Sequence, residues 1–344
     1  MALLFCDGFD HYATADVLKK WSGYNTDLTI GAYGRFGSSG VRLGQYGVGG
    51  VYKTFTTGFA TAIAGFAFYL PDGRSGISMF DLWATSLGEY HARICLDTLN
   101  RLYVANSAGT MIAGPASVAL PLAAWSYIEI KVYVHNSDGT AEIRVNGQSV
   151  LSATGLDTRY GSTAGEGVIN GVSLFYHNAR NDNPYWQADD FYLCDSSGST
   201  NNTFLGDVRV QSIFPSGAGN TTQMTPSAVS NYQCVDEAAP NADTDYVSET
   251  TAGEKDTYAF GNLTPTSGTV KGVRVMICAR KDDAGSRSIA PVYRPASTDY
   301  DGTTGVVSDS YTYLSEIKEV SPETSAAWTI AEINGAEFGV KLIS

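Results

Sequence analysis

Residues 125–158 read WSYIEIKVYVHNSDGTAEIRVNGQSVLSATGLDT. Ile128, Ile130, Val132 and Val134 alternate with Tyr127, Glu129, Lys131, Tyr133 and His135. Successive side chains of a strand point to opposite faces, so this segment has one apolar and one polar face. Ser137-Asp138-Gly139 turns the chain, and Ala141, Ile143 and Val145 repeat the alternation against Glu142, Arg144 and Asn146. Asn146-Gly147 suits the positive backbone angles of a tight hairpin turn, and a third short strand follows around Val150 and Leu151. The reading is an antiparallel meander, buried on one side and wet on the other. Such two-sided polarity belongs to sandwiches, not to parallel sheets flanked by helices.

Working outward, the same period recurs at Gly65–Tyr69, Glu89–Leu96, Leu102–Asn106 and Gly171–Tyr176. Helical period is nearly absent, with one turn expected at Asp16–Trp21. These segments define a first domain over residues 1–195. Residues 196–230 are polar and punctuated by Gly and Pro, with one strand-like core at Gly206–Phe214, and they read as a connecting strap. Residues 231–344 form a second domain, with strands expected at Gly268–Arg280, Ser288–Tyr293, Ser310–Ile317 and Gly339–Ile343. A short helical turn is expected at Trp328–Asn334. The fold class is therefore all-β, two β-sandwich domains.

The 344 residues include 22 Lys and Arg against 35 Asp and Glu, a formal net charge of −13. Such a surface repels phosphate backbones, which argues against nucleic acid as a partner. No apolar run approaches the roughly 20 residues that span a bilayer, so no membrane span is expected. Met1-Ala2-Leu3-Leu4-Phe5 lacks a basic start and Asp7 ends it early, so no secretory signal is read there. Charged residues make up only 17%, below the roughly 25% of ordinary soluble domains. A surface rich in Ser, Thr, Asn and Gly follows, one suited to meeting other protein. Cys6, Cys95, Cys194, Cys234 and Cys278 are odd in number and dispersed, with no CxxC pair, which reads as buried thiols rather than a zinc site or disulfide framework. Synthesis in a reducing cytoplasm fits that pattern.

The meander, the opening CDGFDHY (residues 6–12) and the closing ADDFYLCD (188–195) together resemble the concanavalin A-like (laminin G-type) lectin/glucanase jelly roll. In that architecture the first and last strands lie near each other. More specifically, ADDFYLCDSSGSTNNTFLGDVRVQSIFPSGAG (188–219) resembles a segment of tailed-bacteriophage virion proteins. So do YVSETTAGEKDTYAFGNL (246–263), VMICARKDDAGSRS (275–288) and AAWTIAEINGAEFGVKL (326–342). The resemblance implies a structural component of a phage particle, on head or tail, assembled in the bacterial cytoplasm. Its implied partners are other virion proteins and further copies of the chain. The jelly roll alone implies little about function, because that fold hosts lectins, hydrolases and structural modules alike.

Enzymes of the glucanase family place paired carboxylates as Glu-x-Asp-x-x-Glu along one strand, and glycoside hydrolysis needs such a pair. No such string occurs. The four histidines are scattered and neither HExxH nor GxSxG is present, so no catalytic residue is assigned and the chain reads as a non-enzyme. Asp189-Asp190 is the most suggestive acidic pair. On a regular strand the two point to opposite faces, yet one could join Asp7 or Asp10 around a structural calcium ion, which takes six or more oxygen ligands; calcium is the sole cofactor considered. For a host surface glycan, the alternative partner, the loop Tyr176–Trp186 offers stacking and hydroxyl-binding groups in Tyr176, Asn178, Asn183, Tyr185 and Trp186. Val208, Val210, Ile213 and Phe214 of the strap need burial, and an isolated strand must add to a neighbouring sheet, in its own chain or another. They are the candidate residues of a subunit interface.

Overall fold

In the computed structural model, strands account for 48% of the chain and helices for 6%. The structure describes residues 2–24, 27–43, 50–73, 77–84, 89–161, 165, 167–177 and 185–344. The chain divides into two compact units, Met1–Val210 and Gln211–Ser344. The division falls inside the expected strap, which is therefore not an independent connector.

The first unit is a sandwich of two antiparallel sheets. The first sheet runs, in order, Gln148–Leu156, Gly139–Val145, Ala124–Tyr133, Thr61–Leu70, Gln187–Cys194, Gly40–Leu43 and Leu28–Gly31, with Leu3–Asp7 also paired to Gln187–Cys194. The second runs Met111–Ala113, Leu102–Asn106, Glu89–Leu96, Ile77–Ala84, Ile169–His177, Val51–Phe59 and Gly23–Tyr24. The meander has the expected register, with Ile128 opposite Val145, Ile130 opposite Ile143 and Val132 opposite Ala141. Asn146 and Gly147 carry the positive φ angles of 50° and 78° that the hairpin demands. The inward residues of both sheets, among them Ile128, Ile130, Phe66, Phe80, Ile94 and Leu174, make one core. Pairing of Leu3–Asp7 with Gln187–Cys194 brings the unit's first and last strands together.

The meander's other face is not uniformly wet. Tyr127 and Glu129 are 1% exposed, because residues 204–210 lie across them. The expected strand Gly206–Phe214 does not form; that stretch has no repetitive structure. Gly8 allows its close approach, since a Cβ there would stand 2.1 Å from the Val210 carbonyl oxygen.

In the second unit the main sheet runs Pro215–Thr222, Lys255–Phe260, Glu337–Leu342, Arg287–Arg294 and Tyr300–Asp301, with Gly305–Val307 also on Arg287–Arg294. A separate two-stranded antiparallel sheet, Val273–Ala279 with Thr312–Lys318, supplies Val275 to a core shared with Tyr293, Trp328 and Phe338. The short helix Ile330–Gly335 starts at a capping box: Thr329 Oγ1 accepts the Glu332 N–H, and Glu332 accepts that of Thr329.

Candidate functional site

Strand Gln187–Cys194 organises the polar side of the first sheet. Along its edge it pairs with Gly40–Leu43 at residues 187–188 and with Leu3–Asp7 at residues 191–194. At the change of partner the strand bulges: its register against Thr61–Leu70 slips between Asp189 and Tyr192, and Asp190 adopts φ 54°. A bulge breaks the two-residue alternation. Asp189 and Asp190 consequently do not point to opposite faces as a regular strand would require; both engage the turn that carries Arg35.

Arg35 Nε donates to Asp190 Oδ2 at 2.8 Å, Nη1 to Asp207 Oδ1 at 2.9 Å and Nη2 to the Val208 carbonyl at 2.8 Å. Its backbone N–H donates to Asp189 Oδ2 at 2.8 Å. Asp190 Oδ1 accepts the Val210 N–H at 2.7 Å. Beside this, Glu129 Oε1 accepts the Tyr192 hydroxyl at 2.7 Å and the Gly206 N–H at 2.8 Å. Burial, then the charge of Asp190, raises the Asp189 carboxyl, and burial raises Asp190 against the opposing pull of the Val210 N–H and Arg35. This is a buried clamp that fastens residues 204–210 to the sheet.

The calcium reading is corrected here. Asp7 is fully buried and accepts the Phe9 N–H and Lys20 Nζ on Oδ1, and the Tyr12 hydroxyl and Trp21 Nε1 on Oδ2, all at 2.7–2.8 Å. Those four donors use the lone pairs a cation would need. Burial raises its carboxyl, but Lys20, His11 and the hydrogen bonds outweigh burial and hold it below its ordinary value. Asp190 faces the Arg35 guanidinium, and Asp189 accepts the Arg35 and Asp190 backbone N–H groups and the Ser38 hydroxyl. No three His, Cys, Asp or Glu side chains among the described residues are grouped to hold a metal.

The interface candidates are likewise placed within the chain. Val208 and Val210 belong to the clamp through their backbone groups. Ile213 packs against the core of the second unit, and the Phe214 carbonyl accepts the Gly261 N–H at 3.0 Å. Backbone groups that a lone strand would leave open are thus occupied without a second copy.

Of the loop proposed to stack on sugars, Asn178, Asn183 and the side chain of Tyr176 lie outside the described residues. Trp186 is a core residue, 6% exposed and edge-on to Phe68 at 5.2 Å, so its ring is not presented to a ligand. Tyr185 is half-buried, and its ring lies 4.1 Å from the Arg42 guanidinium, whose other neighbour is the Tyr33 ring at 4.4 Å. Arg42 sits in a row that crosses the first sheet on the face away from the core. Thr29 is opposite Arg42, Arg42 opposite Gln187, Gln187 opposite Tyr69 and Tyr69 opposite Trp125. The Tyr69 and Trp125 rings are 5.6 Å apart at 56°. Residues 204–210 do not cover this row: Thr29 is exposed, and the other four are half-buried. The sequence held the signal for it in the alternate positions of strands, but only pairing across five strands assembles it.

The second sheet also carries a polar outer face, which sequence reasoning did not single out. Asp81, 1% exposed, accepts hydrogen bonds from Ser78 and from Arg93 Nε at 3.1 Å, and Trp83 Nε1 donates to Ser173 at 3.1 Å. Burial, then the Asp81 charge, pushes the Cys95 thiol up to about 11, and burial pushes Tyr103 up to about 12. Neither supplies a nucleophile or acid near neutral pH. His91 receives the Tyr160 N–H on Nδ1 and faces the Val168 carbonyl through Nε2, and burial lowers it.

No family model matches the chain and no curated protein matches it. Among solved structures, an alginate lyase from Chlorella virus is similar at 12% identity and TM-score 0.39, over 56% of this chain and 99% of that one. A Bacillus subtilis protein of unknown function with a galectin-like fold is similar at 14% identity and TM-score 0.36, over 56% and 96%. Trypanosoma rangeli sialidase is similar at 13% identity and TM-score 0.34; the match takes in 52% of this chain but only 27% of the sialidase. Likenesses this distant carry no argument about activity or ligand.

Proposed function

We propose that this chain is a non-enzymatic structural protein of a bacteriophage virion, capsid- or tail-associated, acting in particle assembly and surface display. The observation that supports it is the use made of the segment ADDFYLCD…FLGDVRV, through which the chain resembles tailed-phage proteins. Asp189, Asp190, Asp207, Val208 and Val210 are fixings between pieces of polypeptide, and none is poised toward a substrate. A motif whose residues hold a scaffold together is what a shared structural module would keep. The non-enzymatic reading draws on the same chemistry, since the acids of the motif are held by Arg35 or by backbone donors. A side-chain-resolution reconstruction of the particle tests the proposal: the chain should be found at defined, repeated positions, and its absence from the purified particle would refute it.

The second reading, binding of a host surface glycan, is favoured by the row Thr29–Trp125. It combines half-exposed rings with amide, hydroxyl and guanidinium groups, the mixture that recognises a ligand with apolar and polar faces. Weak single sites become effective when a particle repeats them. Incubation with host polysaccharide should give retention without released reducing ends; release that persists in the purified chain would restore a catalytic reading.

A further inference from the structure

We propose that the row Thr29–Arg42–Gln187–Tyr69–Trp125 binds an acidic oligosaccharide, with a sugar carboxylate on the Arg42 guanidinium. The inference rests on the glycan-binding reading and adds the class of glycan and the residue that selects it.

The argument begins with charge. In the first unit Arg35, Arg93, Arg101 and Arg144 each pair with a carboxylate at 2.8–3.1 Å. Arg42 pairs with none among the described residues, although the chain carries 35 acids against 22 bases. Among the described residues its contacts are the two tyrosine rings, which lie over the guanidinium, and no acceptor there meets its N–H groups. A guanidinium fixed in this way is prepared for a planar, two-oxygen anion, to which it donates two parallel hydrogen bonds.

The neighbours narrow the anion. Gln187 offers an amide next to Arg42, and Tyr69 and Trp125 offer half-exposed ring faces beyond it. A pyranose ring has apolar C–H faces and a rim of hydroxyls, so it fits ring faces beside an amide. Five adjacent strands at about 4.8 Å spacing extend the row over about 19 Å, the reach of a short oligosaccharide rather than a single sugar. A densely charged polymer is disfavoured by the net charge of −13 and by the single cation in the row. An isolated carboxylate on a sugar meets both conditions.

The test is calorimetric titration of the full chain with two oligosaccharides that carry one carboxylate each, sialyllactose and glucuronosyl-xylotriose, each against its neutral counterpart, lactose and xylotriose. The acidic probe should bind more tightly than its counterpart. Arg42→Ala should weaken it by about tenfold to a hundredfold, the value of hydrogen bonds to a charged group, and abolish the preference for acid over neutral. Arg42→Lys keeps the charge but not the fork and should recover only part of the loss. Trp125→Ala should weaken acidic and neutral probes alike. Arg42→Ala should stay folded, with a melting temperature lowered only by the loss of its two ring contacts, and Arg42→Lys should separate that loss from the loss of the fork. Acid and neutral probes bound equally, or binding indifferent to Arg42, would overturn the inference while leaving glycan binding standing if Trp125→Ala still weakens it. Failure of every probe to bind would overturn both.

Discussion

Replacing Arg35 with Met asks how much the buried clamp contributes. The methionine keeps most of the aliphatic stem and removes the guanidinium. Asp190, with its side chain 3% exposed, would lose its cation, and the Val208 carbonyl would lose a donor. Breaking a buried ion pair from one side costs about 3–5 kcal/mol, because the remaining charge stays buried without compensation. The Asp207 contact adds little: its side chain is 52% exposed, and such pairs are worth about 0–1 kcal/mol. Asp207→Ala should therefore be nearly silent where Arg35→Met is not. The cost also depends on protonation. Burial already raises the Asp190 carboxyl, and without Arg35 it rises further, so at pH 5 the variant escapes part of the penalty it suffers at pH 8. Urea unfolding followed by tryptophan fluorescence reads mainly the first unit, which holds Trp21, Trp83, Trp125 and Trp186. Arg35→Met/Asp190→Asn should be more stable than Arg35→Met alone. A loss below about 1 kcal/mol in Arg35→Met, or simple additivity in the double variant, would refute the view that these charges depend on each other.

Three further outcomes are expected. Ile130, 1% exposed between the two sheets, cannot accept a charge without a partner, so Ile130→Asp should cost several kcal/mol; a parental melting temperature would show the strand to be out of register by one residue. Gly8→Ala sets a Cβ against a backbone carbonyl that cannot rotate away, which should cost about 1–3 kcal/mol, and an unchanged urea midpoint would contradict the packing of residues 204–210. The folded-state carboxyl of Asp7 lies below its unfolded value near 3.8, so its contribution is present above that pH and lost as pH falls through the folded value. Asp189 is shifted the opposite way: its contribution is full below the unfolded value and declines as pH rises above about 4. Asp7→Asn should flatten the acid limb of stability against pH, and Asp189→Asn the decline above it; a profile that neither variant alters would remove the assignment.

The strands of the meander, and Val273–Ala279, Arg287–Arg294, Thr312–Lys318 and Glu337–Leu342 of the second unit, were legible because each has one face in a core, whereas Pro215–Thr222 and Lys255–Phe260 were not read as strands. Where one face is buried, alternation fixes register: Ile128, Ile130, Val132, Ile143 and Val145 all lie where their period places them. Asp189 and Asp190 were misread for a reason the sequence does not display. Alternation assumes an unbroken ladder, and the ladder breaks where Gln187–Cys194 exchanges Gly40–Leu43 for Leu3–Asp7. That exchange depends on segments more than 140 residues distant. Trp186 was misread as a ring for sugars because an aromatic in a polar loop looks exposed; its place one residue before the strand turns it toward Phe68 instead.

The strap shows a more general limit. Val208, Val210, Ile213 and Phe214 are apolar, and their sequence reads as a strand in need of a sheet, in its own chain or in a second copy. The physical demand was identified correctly: buried backbone donors and acceptors need partners. A ladder is only one way to meet it. Here the Val210 N–H goes to a carboxylate, the Val208 carbonyl to a guanidinium and the Gly206 N–H to Glu129, so side chains from the sheet do what a neighbouring strand would have done. The apolar side chains of Val208 and Val210 are only half-buried, which marks the segment as held by its backbone more than by its hydrophobic groups. Self-association in the proposed role in a particle then has to use other surfaces than the backbone of residues 206–210. A subunit contact made through the backbone of residues 206–210 would have to displace three charge-assisted hydrogen bonds already made within the chain, and each of these is roughly twice as strong as a neutral one.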